Sequence, residues 1–139
     1  ALLDADTAQG RALRSGIEAT RAGLPRAGLP LIVIHGIDDG LVPEAFSGGA
    51  YTAWLRAEGR AASYWQVPHA QHFDAFLGLP PLAARYVPLL PYAYRALDAM
   101  WAHLHEGTLL PPSRTWPTRP RGVVADAVPA LDSGHLGFD

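Results

Sequence analysis

Apolar positions along this chain recur with two different periods, and the switch between them predicts its elements. Between Leu2 and Gly23, the residues Ala8, Ala12 or Leu13, and Ile17 fall at helical spacing, and Asp6 or Thr7 can cap the start. Gly10 and Gly16 work against that helix. Leu24 to Pro30 reads as a loop. The run from Leu29 to Ile34 is short, apolar and rich in β-branched residues, which predicts a strand over 29–35 buried on both faces. Ser47 to Glu58 returns to helical spacing through Tyr51, Trp54, Leu55 and Glu58, with Ser47 suited to the N-cap and Gly59 to the C-terminal end. Ala62 to Val67 alternates Tyr64 against Ser63 and Trp65 and predicts a second strand. Pro80, Pro81, Pro88 and Pro91 then divide the chain into short turns. Tyr92 to Glu106 is the strongest helix, with Tyr94, Leu97, Trp101 and Leu104 or His105 along one face and Gly107 ending it.

Strand, turn, helix and strand in this order form a βαβ unit, which implies an α/β class with parallel strands. A strand buried on both faces needs neighbours on both sides, and two or three strands do not complete a doubly wound sheet. The expectation is therefore the C-terminal portion of a larger α/β domain. Residues 1–107 hold its strands and helices. From Thr108 to Asp139, Pro111, Pro112, Pro117, Pro120 and Pro129 and the lack of any period predict a Pro-rich extended tail. Ala1 in place of Met reads as a processed or truncated start, from which an export signal could have been lost.

Composition narrows the class of function. With 49% hydrophobic and 17% charged residues the chain is globular in character. A net charge of −2 gives no basic surplus for nucleic acid or an anionic membrane, and no apolar run approaches the roughly 20 residues of a bilayer span. Cysteine is absent, which excludes disulfides and thiolate metal sites. No cofactor-binding pattern emerges.

The chemistry-bearing residues lie in the two turns that end the strands. His35-Gly36-Ile37-Asp38-Asp39-Gly40-Leu41-Val42-Pro43 places carboxylates where open α/β sheets keep their active sites. Val67-Pro68-His69-Ala70-Gln71-His72-Phe73-Asp74 places histidines at the next strand's end. An acid followed by a base in this order is the second half of a Ser…Asp…His sequence. Asp39 is the candidate acid and His72 the candidate general base, with His69 competing for the second role. Asp38 is a turn former or a support to its neighbour. His35 is placed to brace the first turn through a backbone hydrogen bond. A metal reading uses His69, His72 and Asp74, with His35 as a further ligand, although HxxH in a loop lacks the spacing and Glu of the two-His zinc helix. The serines are Ser15, Ser47, Ser63, Ser113 and Ser133, and none sits in Gly-x-Ser-x-Gly. Alone, this chain is expected to hydrolyse nothing by that mechanism.

Three stretches carry a resemblance: "LPLIVIHGIDDGLVPEAFSGGAYTAWLRAEGRAASYWQVPHAQHFDAFL", "YVPLLPYAYRALDAMWAHLHEG" and "TLLPPSRTWPTRPRG". The two turns are similar to the acid and histidine loops of α/β-hydrolases. The three stretches together resemble the C-terminal region of bacterial D-3-hydroxybutyrate oligomer hydrolases. That resemblance implies a serine esterase acting on a small-molecule ester, with Asp39 as triad acid and His72 as triad base, downstream of polyhydroxybutyrate depolymerase; it also implies a nucleophile serine on an upstream segment or a companion chain. It alone favours a secreted or periplasmic setting. Trp54, Trp65, Tyr64, Phe73 and Phe76 are available to wall an acyl pocket, with core packing the main role of most. A non-catalytic binding module of the same ancestry and a metal-dependent hydrolase remain as alternatives.

Overall fold

The computed structural model describes residues 2–138. Its elements run α1 (Ala8–Thr20), β1 (Ile32–Gly36), α2 (Gly48–Ala57), β2 (Ser63–Val67), α3 (Pro80–Arg85), α4 (Leu90–Glu106), β3 (Arg114–Thr115) and α5 (Ser133–Leu136). The three strands form one parallel sheet in the order β1-β2-β3. The fold is α/β, as the βαβ reading predicts. β1 and β2 are in register from Ile32 opposite Ser63 to Gly36 opposite Val67, so both strands end at the same level and deliver their turns side by side.

The first helix is shorter than its apolar spacing predicts. Leu2–Asp4 form a separate 3-10 turn, and Thr7 caps α1 by accepting the Gly10 N–H at 3.0 Å. The chain folds back so closely here that a Cβ on Gly10 would lie 2.2 Å from the Ala5 carbonyl oxygen. Ser47 precedes α2 without capping it through its side chain, because its hydroxyl donates instead to the Pro43 carbonyl at 2.7 Å. The prolines expected to break the chain also start helices. Pro80 and Pro81 open α3, and Pro91 lies in the first turn of α4, where a missing N–H leaves no bond unmade.

Ile32 to His35 are half-buried rather than enclosed, since the outer edge of β1 faces no strand among the described residues. β2 is the sheet's centre and its most buried strand. On one face, Trp65, Val67, Ala70, Val87, Tyr92, Ala96, Trp116 and Leu136 form the core, with Phe138 packed against it. Trp116 meets Trp65, Tyr92 and Phe138 edge-to-face at 5.4, 5.2 and 5.2 Å between ring centroids. The Tyr92 hydroxyl donates to the Leu136 carbonyl at 2.7 Å. On the other face lie Leu55 and Thr52 of α2 with Tyr64.

Two findings add to the pattern-based picture. The Pro-rich stretch after residue 108 is extended over much of its length, yet it also supplies β3, Trp116 and Leu136 to the sheet and core. Two residues make too short a strand to leave a period, and parallel pairing with β2 is set by tertiary contact alone. In α4 the buried side chains are Tyr92 and Ala96, while Tyr94, Leu97, Trp101 and Leu104 face outward. Spacing identified the helix but not which of its two apolar faces meets the sheet.

Candidate active site

The two post-strand turns are tied together by their backbones before any side chain acts. The Ile37 N–H donates to the Val67 carbonyl at 3.0 Å, and the Asp38 N–H donates to the Ala70 carbonyl at 3.2 Å. Gly36 permits this approach, because a Cβ there would fall 2.6 Å from the Ala70 carbonyl carbon and oxygen. The adjacent carboxylates then each take one N–H of the histidine turn. Asp38 Oδ2 accepts from His69 N–H at 3.0 Å, and Asp39 Oδ2 accepts from His72 N–H at 3.0 Å.

Asp39 is buried and accepts four hydrogen bonds. Its Oδ1 takes the N–H groups of Leu41 and Val42, each at 2.9 Å. Its Oδ2 takes the His72 backbone N–H and the His72 ring nitrogen Nδ1. Burial pushes the carboxyl up, but the bonds from Val42, the His72 side chain, the His72 backbone and Leu41 outweigh it and hold the pKa down at about 2. Asp39 is therefore a carboxylate across the physiological range. In a neutral imidazole this contact fixes the proton on Nδ1 and leaves the Nε2 lone pair free. The His72 side chain is 34% exposed, whereas that of Asp39 is buried.

The surrounding residues hold these two in place. His35 Nε2 donates to the Val42 carbonyl at 3.1 Å, bracing the Asp39 turn as its position predicts. A Cβ on Gly48 would lie 2.8 Å from His35 Nδ1, so the start of α2 is shaped to the ring. Glu44 Oε1 accepts from Tyr64 Oη at 2.7 Å and Gln66 Nε2 at 2.5 Å, which anchors the far end of the same turn to β2. Burial, then the Glu44 contact, pushes the Tyr64 phenol up. On the histidine side, Gln71 brackets Phe73, taking its N–H and donating to its carbonyl, both at 2.6 Å. The Phe73 ring lies 3.9 Å from the His72 ring and 5.1 Å from Phe76. Of the five aromatics available for a pocket wall, Phe73 and Phe76 flank the site, while Trp65 and Tyr64 are buried in the fold.

His69 is drawn elsewhere. It holds a positive φ of 54°, and its Nδ1 bonds to Thr118 Oγ1 at 3.0 Å, whose hydroxyl donates to the Pro68 carbonyl at 2.7 Å. Asp74 caps α4, accepting Leu89 N–H and Leu90 N–H at 2.7 Å each. The three residues of the metal reading thus point to three different partners. Among the described residues no group of three or more His, Asp or Glu side chains is arranged to hold a metal ion. Sequence reasoning missed Thr118 and Gln71; the stretch containing Thr118 carried a signal only through the resemblance.

The family model for 3HB-oligomer hydrolase (3HBOH) matches residues 1–137. The chain is 42% identical over 142 residues to a D-(-)-3-hydroxybutyrate oligomer hydrolase of Paracidovorax citrulli (strain AAC00-1), covering 97% of this chain and 20% of that protein. It is 41% identical over 133 residues to proteins of the same name in Burkholderia mallei (strain SAVP1) and Burkholderia pseudomallei (strain K96243), covering 94% of this chain and 19% of each. The chain thus spans about a fifth of the length of the curated relatives it matches. No solved structure matches it. A family match along almost the whole chain, together with this identity, shows that the chain belongs to the 3HB-oligomer hydrolase family.

Proposed function

We propose that this chain is the acid- and base-bearing C-terminal portion of a serine esterase with an α/β-hydrolase sheet, and that the full-length protein cleaves 3-hydroxybutyrate oligomers. The observation that carries this reading is the contact of buried Asp39 with His72 Nδ1. The names of the relatives supply the substrate class, and their length supports a nucleophile on the same polypeptide, outside residues 1–139.

In this reading the serine hydroxyl attacks the ester carbonyl carbon while His72 Nε2 takes its proton. Asp39 keeps the ring oriented and stabilises the imidazolium. Nε2 then gives the proton to the alkoxide oxygen of the departing fragment as its bond to the acyl carbon breaks, which releases that fragment as an alcohol and leaves an acyl-serine. Water, deprotonated by the same nitrogen, attacks the acyl carbon and frees the hydroxy acid and the serine. Phe73 and Phe76 offer an apolar surface beside His72 to the methyl-bearing chain of the substrate.

The test is hydrolysis of the 3-hydroxybutyrate dimer by the full-length protein. His72→Ala is expected to abolish turnover, and His69→Ala to leave most of it. Equal losses in both variants, or none in His72→Ala, would overturn the assignment.

A further inference from the structure

We infer that the outward face of α4 is an interface, covered in the full-length protein by a helix from the polypeptide outside residues 1–139. This rests on the larger-protein part of the proposed function and not on its serine chemistry.

Leu90, Tyr94, Leu97, Trp101 and Leu104 follow one another at steps of four, three, four and three, the spacing of a helix seam that receives another helix. They are between 49% and 65% exposed. Tyr92 and Ala96, which face the core, lie roughly opposite on the helix and are 0% and 8% exposed. A helix apolar on two opposite faces is one that is enclosed. The sheet covers the first face and cannot reach the second.

The occupant follows from three further facts. α4 packs over β1, whose outer edge pairs with no strand among the described residues, so polypeptide that continued the sheet there would emerge beside the stripe. Leu13 and Ile17 of α1 are also exposed, so the uncovered surface is not confined to one element. The relatives carry about four fifths of their length beyond the matched region. A membrane surface is a poor fit, because Arg95 is the one Lys or Arg on α4. Antiparallel pairing with a second copy would centre on Leu97 and bring the two neighbouring Asp98 carboxylates to the same seam.

The test uses the full-length protein under native conditions. Trp101 is expected to react at least tenfold more slowly with hydroxyl radicals than in denaturant, and a thiol placed by Leu97→Cys to resist maleimide until unfolding. Leu97→Glu is expected to leave the oligomeric state unchanged. Rapid native modification of Trp101 would overturn the inference. So would conversion of an oligomer to a monomer by Leu97→Glu, which would assign the face to a second copy. Protection of Trp101 in a protein whose hydrolysis ignores His72→Ala would leave this interface standing while removing the proposed chemistry.

Discussion

Asp39 holds His72 twice through one oxygen, taking both its backbone N–H and its ring Nδ1 on Oδ2. The backbone bond fixes where the residue stands and the ring bond fixes how it is turned. The other oxygen is committed to Leu41 and Val42, so the carboxylate is fixed by its own turn as well as by its partner. Replacing it with an amide keeps the volume but offers an N–H in place of one acceptor. In the full-length protein, Asp39→Asn is expected to lower kcat by at least about a thousandfold with a small effect on KM. Steady-state kinetics on the dimer check this.

The same carboxylate makes stability depend on pH. Its folded pKa of about 2 lies below the ordinary 3.8, so it stabilises the fold by about 2 kcal/mol above pH 4 and loses that contribution as pH falls towards 2. Denaturant unfolding between pH 6 and pH 2.5 is expected to show this fall. The slope is expected to be smaller in Asp39→Asn.

Gly36 is set by crowding. Gly36→Ala pushes a methyl group into the Ala70 backbone and is expected to cost roughly 1–3 kcal/mol or more, read as a lowered Tm. Activity is expected to fall with it, because the same contact sets the spacing of the Asp39 and His72 turns.

Trp116 ties the C-terminal stretch to the core. Trp116→Ala is expected to destabilise by about 3–5 kcal/mol, far more than removal of an exposed side chain such as Leu109. Chemical denaturation of the two variants decides it.

Much of this was legible in the sequence because the signals are local. The apolar run before His35, the spacing in α2, the alternation from Ala62 to Val67 and the Gly-Ile-Asp-Asp-Gly turn reveal two strands, a helix and the place of the candidate site. The choice of His72 over His69 rested on position, and the structure separates them by partners: His72 meets Asp39, and His69 meets Thr118 some 49 residues on. That second contact left no local trace. Nor did β3, whose two residues pair with Trp65 and Gln66. Spacing along α4 reveals a helix but not the face that meets the sheet: the core side uses Tyr92 and Ala96, and a small residue lets the helix lie close to the sheet.

The central claim is that Asp39 and His72 activate a serine carried elsewhere on the same polypeptide. Its most direct test is a fluorophosphonate, which reacts with activated serines, applied to the full-length protein with the labelled residue located by mass spectrometry. One serine outside residues 1–139 is expected to react in the wild type, and its labelling to be lost in His72→Ala and strongly slowed in Asp39→Asn. Labelling at an unchanged rate in both variants, or hydrolysis by a protein in which no serine is labelled, would contradict the account.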